Sequence, residues 1–199
     1  HHYRECVKRQ LLLNGGDKTH LSKNPVMSGW VEALIETFPD ARVAVMMRNP
    51  TECIPSVLKL VELNWRGKGW DRCDYANSLQ ILTGISFESF HNPRQALLRH
   101  PATPQVTIDY LQLIAEPRAT ISAVYQALAL PLTPEFDQFL RAQEEREKGH
   151  KTSFEYSIDD YDLSVARIED ELSDFFDDYG WPLAAPAQTS AGAQGGLSQ

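Results

Sequence analysis

The spacing of apolar positions changes several times along the chain, and each change marks an element. Tyr3 to Leu13 has helical spacing, and the short His20-Leu21-Ser22 run reads as a strand. From Ser28 to Thr37 a helix is predicted, with Trp30, Leu34, Ile35 and the following Phe38 on one face. After the Pro39-Asp40 turn, Arg42 to Met47 is a short apolar run of the kind found in parallel sheets covered on both faces. A helix follows at once, with Ile54, Val57, Leu58 and Val61 at i, i+3, i+4 and i+7. Pro55 is tolerable there because it falls in or near the first turn.

A loop from Asn64 to Asp71 carries Trp65 and Trp70, which either line a pocket or cap the core. Tyr75 to about Phe90 is helix-like, Pro101 and Pro104 bracket a crossing segment, and Gln105 to Ile108 reads as a second clear strand. Pro117 opens a helix to 129, with Ile121, Val124, Tyr125 and Leu128 on one stripe; Thr133-Pro134 opens the next, to about Lys148. Ser164 caps a last helix that buries Ile168, Leu172, Phe175 and Phe176 and turns its acids to water. From Pro182 to Gln199 there is neither charge nor aromatic, the composition of a disordered tail. Strands alternating with helices predict an α/β domain over 1–181 with a mainly parallel sheet. Ligands of such sheets bind beyond the carboxyl ends of the strands, which places the expected site just after Met47.

Composition narrows the function. Of the 199 residues, 42% are apolar, enough for one core. No stretch approaches the length of a membrane-spanning helix, and the first residues lack the apolar centre of a signal peptide. The net charge of −8 argues against non-specific nucleic-acid binding. It is also unevenly placed: residues 152–178 hold ten acids against Arg167, leaving the rest near neutral and free to carry a locally basic site. Cys6, Cys53 and Cys73 are odd in number and lack metal-type spacing, which reads as reduced thiols in a reducing compartment, the cytoplasm.

Arg48 ends the first apolar strand, Asn49-Pro50 starts the helix, and Ser56 follows eight positions after the arginine. A guanidinium, a hydroxyl and helix-terminal amides meeting there would make a phosphate site. The alternative is that Arg48 forms a structural ion pair and Ser56 bonds the preceding turn. Lys23-Asn24-Pro25 ends the earlier predicted strand and opens a second loop onto the same sheet edge.

With these features in order, the chain resembles the 3′-phosphoadenosine-5′-phosphosulfate-dependent sulfotransferases, in particular the branch related to tyrosylprotein sulfotransferases. The segments that carry the likeness are HLSKNP, FPDARVAVMMRNPTECIPS, TIDYLQLIAEP and HKTSFEYSIDDYDLS, between about residues 19 and 179. The resemblance implies a sulfotransferase fold, related to that of P-loop nucleoside-triphosphate hydrolases, and transfer of a sulfuryl group from that nucleotide to an acceptor hydroxyl or amine, without a metal. It assigns Arg48 and Ser56 to the 3′-phosphate, Lys23 to the sulfuryl group and Tyr110 to the adenine ring. His150 and Lys151 match a cationic loop that closes over the nucleotide.

One part of the family pattern is missing. No glycine-rich loop of the G-x-[PH]-[RK]-[ST]-G-[ST] kind precedes Lys23, and Asn14-Gly15-Gly16-Asp17 reads as a surface turn. The chain is therefore expected to be an amino-terminally incomplete member that holds the 3′-phosphate half of the nucleotide. His20 is the nearest candidate general base on this chain, its ordinary pKa being near ~6.5. The second reading is a nucleotide-binding or protein-interaction module on the same fold without catalysis. A phosphotransferase of the P-loop kind would need a Walker-type loop and acidic magnesium ligands, and neither is present.

Overall fold

The computed structural model describes residues 2–147, 161 and 163–184. Two parallel strands, β1 (Val43–Met47) and β2 (Gln105–Asp109), lie side by side with Val43 opposite Gln105 and Met47 opposite Asp109. Before them come α1 (His2–Asn14), a 3-10 turn (Pro25–Trp30) and α2 (Val31–Thr37). The crossover from β1 to β2 consists of α3 (Pro50–Gly67) and the 28-residue α4 (Arg72–Arg99). After β2 follow α5 (Tyr110–Ala115), α6 (Pro117–Ala127), α7 (Pro134–Glu147), α8 (Val165–Glu171) and α9 (Ser173–Tyr179). The α/β class expected from the alternation holds, with helix dominating.

Alternation along the strands decides which helix packs where. Met47 joins the largest cluster, with Ile54 and Leu58 of α3, Phe87 of α4 and Ile168 and Phe175 of α8 and α9. Val43 and Val45 rest on a second cluster of Val31, Ile35, Ala96 and Leu97. On the opposite face Val106 and Ile108 of β2 meet Val124 and Leu128. Arg42 ties this side together by donating from Nε to the Leu128 carbonyl at 2.7 Å.

Several expectations need correction. β1 is not covered on both faces: Ala44 and Met46 are exposed, because the far edge of β1 has no neighbouring strand among the described residues and α6 covers only β2. The His20-Leu21-Ser22 strand does not form. The segment is irregular and exposed, and three residues gain no ladder without an adjacent strand. The helix expected over 28–37 is divided into the 3-10 turn and α2, and Trp30 stays outside the core. α3 runs through Asn64 to Gly67 where a loop was expected, because Trp65 packs on the core and its ring meets Tyr75 at 5.2 Å. α4 continues past Phe90 through a buried Pro93, since Ala96 and Leu97 beyond it complete the second cluster.

The caps at Thr133 and Ser164 form as expected, their hydroxyls accepting from Phe136 N and Arg167 N. The last helix breaks at Leu172 into α8 and α9. Its acids do not all face water alone: Asp174 and Asp178 both pair with Arg94 of α4, and Glu171 pairs with Arg167. Ala184 N donates to Glu169 at 2.6 Å, so the expected tail is tied to α8 as far as that residue. The rest of the tail, with His150 and Lys151, lies outside the described residues. Among the described residues no helix is long and apolar enough to cross a membrane.

Candidate functional site

The site is built where β1 and β2 end. Because the strands are parallel and in register, Met47 and Asp109 are partners, and the next residues, Arg48 and Tyr110, emerge at the same edge. The Arg48 guanidinium lies over the Tyr110 ring, 4.8 Å from its centroid. Asp109 caps α5 by accepting from Leu111 N at 2.9 Å, which fixes Tyr110 as the first residue of that helix. Residues 62 positions apart in the sequence thus meet in one stack.

Arg48 has a second partner. Its Nε and Nη2 both donate to Oε2 of Glu52, at 3.1 and 2.9 Å. The ion-pair alternative for Arg48 is therefore realised, and Glu52 is a site residue that the sequence reading passed over. Its i+4 spacing from Arg48 on a helix start was the available signal.

The amides of α3 are not the free donors expected. Pro50 has no N–H, Thr51 N donates to Asn49 Oδ1, and Glu52 N and Cys53 N donate to the Asn49 carbonyl. Asn49 caps the helix, so the anion attraction left at this end is that of the 18-residue helix dipole together with the arginine. Ser56 is half-buried on α3, and among the described residues no hydrogen bond joins its hydroxyl to the preceding turn, so that alternative for the hydroxyl is not realised.

Lys23 and His20 lie on the exposed irregular stretch before the 3-10 turn. Asn24 pins the chain directly after Lys23, its Oδ1 accepting from Val26 N at 3.2 Å. The structure therefore joins Arg48 and Tyr110, and among the described residues no hydrogen bond, ion pair or ring contact ties Lys23 or His20 to either of them. The Asn14-to-Asp17 stretch is the surface turn expected: Gly15 N donates to Leu11 O, and Gly15 adopts φ +113°, where a Cβ would stand 2.8 Å from Asp17 Oδ1.

A second cluster of polar chemistry lies further along α3. Glu62 is buried among apolar neighbours, yet its carboxylate accepts from the Tyr75 hydroxyl at 3.1 Å and the Tyr161 hydroxyl at 3.0 Å. Arg72 and Lys59 stand 3.3 and 3.8 Å away. Burial pushes this carboxyl up, but the two tyrosine bonds and the two cations together outweigh it and hold Glu62 below the usual 4.5. Burial and the facing carboxylate push the Tyr75 phenol up in turn. Glu62 was legible only as an acid falling on the buried stripe of Ile54 and Leu58.

A cleft of about 440 Å³ opens on the sheet face of Val45, Met47 and Thr107, walled by Arg94, Phe175 and Tyr179. It shares β1 with Arg48 but is not an anion site. Arg94 is already paired with the carboxylates of Asp174 and Asp178 and lies 4.6 Å over the Phe175 ring. The three cysteines are free thiols, and burial pushes Cys53 up.

Comparison with known proteins follows the same ground. The model of a sulfotransferase family matches residues 3–134. The chain is 23% identical over 172 residues to the omega-hydroxy-beta-dihydromenaquinone-9 sulfotransferase Stf3 of Mycobacterium bovis and of Mycobacterium tuberculosis. That match covers 85% of this chain and 43% of theirs, so the chain spans about two-fifths of their length. The crystal structure of sulfotransferase STF9 from Mycobacterium avium superposes with a TM-score of 0.66 at 20% identity, over 82% of this chain and 42% of that one. The last likeness is one of fold.

Proposed function

We propose that this chain, which belongs to the sulfotransferase family, takes part in moving a sulfuryl group from 3′-phosphoadenosine-5′-phosphosulfate to an acceptor hydroxyl. The observation that carries the reading is the Arg48–Tyr110 stack at the shared carboxyl edge of β1 and β2. A guanidinium beside a phenol ring suits a nucleotide: the cation takes the 3′-phosphate, and the ring offers a face to adenine. Ser56, half-buried on the same helix, is the hydroxyl assigned to that phosphate. The free thiols support the reading that the protein works in a reducing compartment, the cytoplasm.

The Glu52 pair does not block this role. An exposed ion pair is worth about 0–1 kcal/mol. A phosphate bonded to the same guanidinium gains about 1.5–3 kcal/mol for each charge-assisted bond. Arg48 therefore exchanges Glu52 for phosphate at a net gain, and Glu52 keeps the guanidinium parked over Tyr110 until then.

In the transfer, the acceptor oxygen bonds to sulfur while the bond from sulfur to the 5′-phosphate oxygen breaks, and the acceptor proton passes to a base. Lys23 is assigned to offset charge growing on the transferred oxygens and His20 to take the proton. The hydroxyl acceptor named for the mycobacterial relatives favours an alcohol over an amine. The test is retention of the chain on immobilised adenosine 3′,5′-bisphosphate. Arg48→Ala is expected to weaken it by about 10- to 100-fold; unchanged retention would refute the site.

A further inference from the structure

One face of α3 is left without a function by the site described above. The stripe of Ile54, Leu58 and Trp65 points to the core, and on the opposite side Leu60 and Leu63 are 69% and 53% exposed, with Val57 beside them. Isolated exposed leucines are ordinary. Three features set this face apart. Trp70, in the turn after the helix, is 47% exposed, with the Lys68 ammonium 6.0 Å from its ring centroid. Between Glu52 and Asp71 the sequence holds three bases, Lys59, Arg66 and Lys68, and a single acid, Glu62. That acid points inward, held by Tyr75 and Tyr161. Asp71 and Asp74 just beyond are engaged with each other's backbone as the capping box of α4. Lys59 pairs with Glu62 at 3.8 Å, so in a chain of net charge −8 this segment presents leucines, a tryptophan and two exposed cations, Arg66 and Lys68, that form no ion pair among the described residues.

We infer that the outer face of α3 and the turn after it form a docking surface for an anionic lipid bilayer, and hence that the acceptor hydroxyl is borne by a membrane lipid. The apolar side chains enter the boundary between headgroups and acyl chains, the indole sits at headgroup level, and Arg66 and Lys68 meet the anionic headgroups. Charge chooses this occupant over a second copy of the chain, whose matching face would carry the same cations. The inference names the acceptor class for the proposed transfer and rests on that reading for its purpose, while its geometry is independent of Arg48.

Flotation of the whole chain with vesicles tests it. The chain is expected to float with phosphatidylcholine mixed with phosphatidylglycerol and to stay behind with phosphatidylcholine alone. Leu60→Ser with Leu63→Ser is expected to lower bound protein by about tenfold or more. Arg66→Gln and Lys68→Gln are each expected to lower it by about fivefold. Absence of flotation, equal flotation with both vesicles, or leucine variants that float like the original chain would overturn the inference. So would a dimer in sedimentation that the leucine changes split, since the face would then belong to a second copy. Retention on adenosine 3′,5′-bisphosphate, run in parallel, separates the two readings: failure of the nucleotide site loses retention and leaves flotation intact, and failure of the docking surface does the reverse.

Discussion

Helix α3 carries two carboxylates, Glu52 and Glu62, each beside an arginine, and their surroundings are opposite. Glu52 is 56% exposed, bonds Arg48 alone among the described residues, and stands where the sheet ends. Glu62 is 5% exposed and is bonded by hydroxyls from α4 and from Tyr161, 99 residues away in the sequence. Water competes for the first pair and keeps it weak, which leaves the arginine available to a ligand. Water is excluded from the second, so each of its bonds is costly to break and the group serves as a fixed joint between α3, α4 and the returning chain. The same residue types make an exchangeable contact at one end of the helix and a permanent one towards the other.

The largest test of that contrast is Glu62→Ala, which strands two buried tyrosine hydroxyls. It is expected to cost about 3 kcal/mol or more of unfolding free energy, read from urea denaturation. A loss below about 1 kcal/mol would show that the joint is not structural.

Acid should loosen the same joint. The folded-state carboxyl of Glu62 is held below 4.5, so its stabilisation is complete above that value and is lost as the pH falls through the folded one. The stability difference between the original chain and Glu62→Gln is therefore expected to shrink as the pH falls below 4.5, measured as the separation of their urea midpoints. A constant separation would contradict it.

The smallest effect belongs to the exposed end. Glu52→Gln is expected to shift the thermal midpoint by no more than about 2–4 °C. It should also tighten adenosine 3′,5′-bisphosphate binding by up to about fivefold, because Arg48 no longer has to leave a carboxylate. Weaker binding in isothermal titration would mean that Glu52 orients the arginine instead of occupying it.

How legible each part was follows from the range of the interactions. The ends of β1 and β2 could be read because apolar runs and their turn residues are local, and that sufficed to nominate Arg48, while Tyr110 was nominated by the family resemblance. Their stacking could not be read, since it needs the parallel pairing that sets Met47 against Asp109. The His20-Leu21-Ser22 strand failed for the complementary reason: its pattern was plausible, but a strand exists only beside another. Trp65 and Trp70 shared one expectation, yet the helix carried the first onto Tyr75 and left the second in solvent.

The sequence by itself determined the α/β alternation, the caps at Thr133 and Ser164, the family, and the turn that follows Met47. These rest on periods and neighbours within a few residues, which the chain carries whatever its surroundings. Only the tertiary structure decided that Arg48 lies over Tyr110, that Glu62 faces inward and that Leu60 and Leu63 face out. Each of those depends on which segment arrives from far along the chain to exclude water from one side of a helix, and local pattern does not encode that arrival.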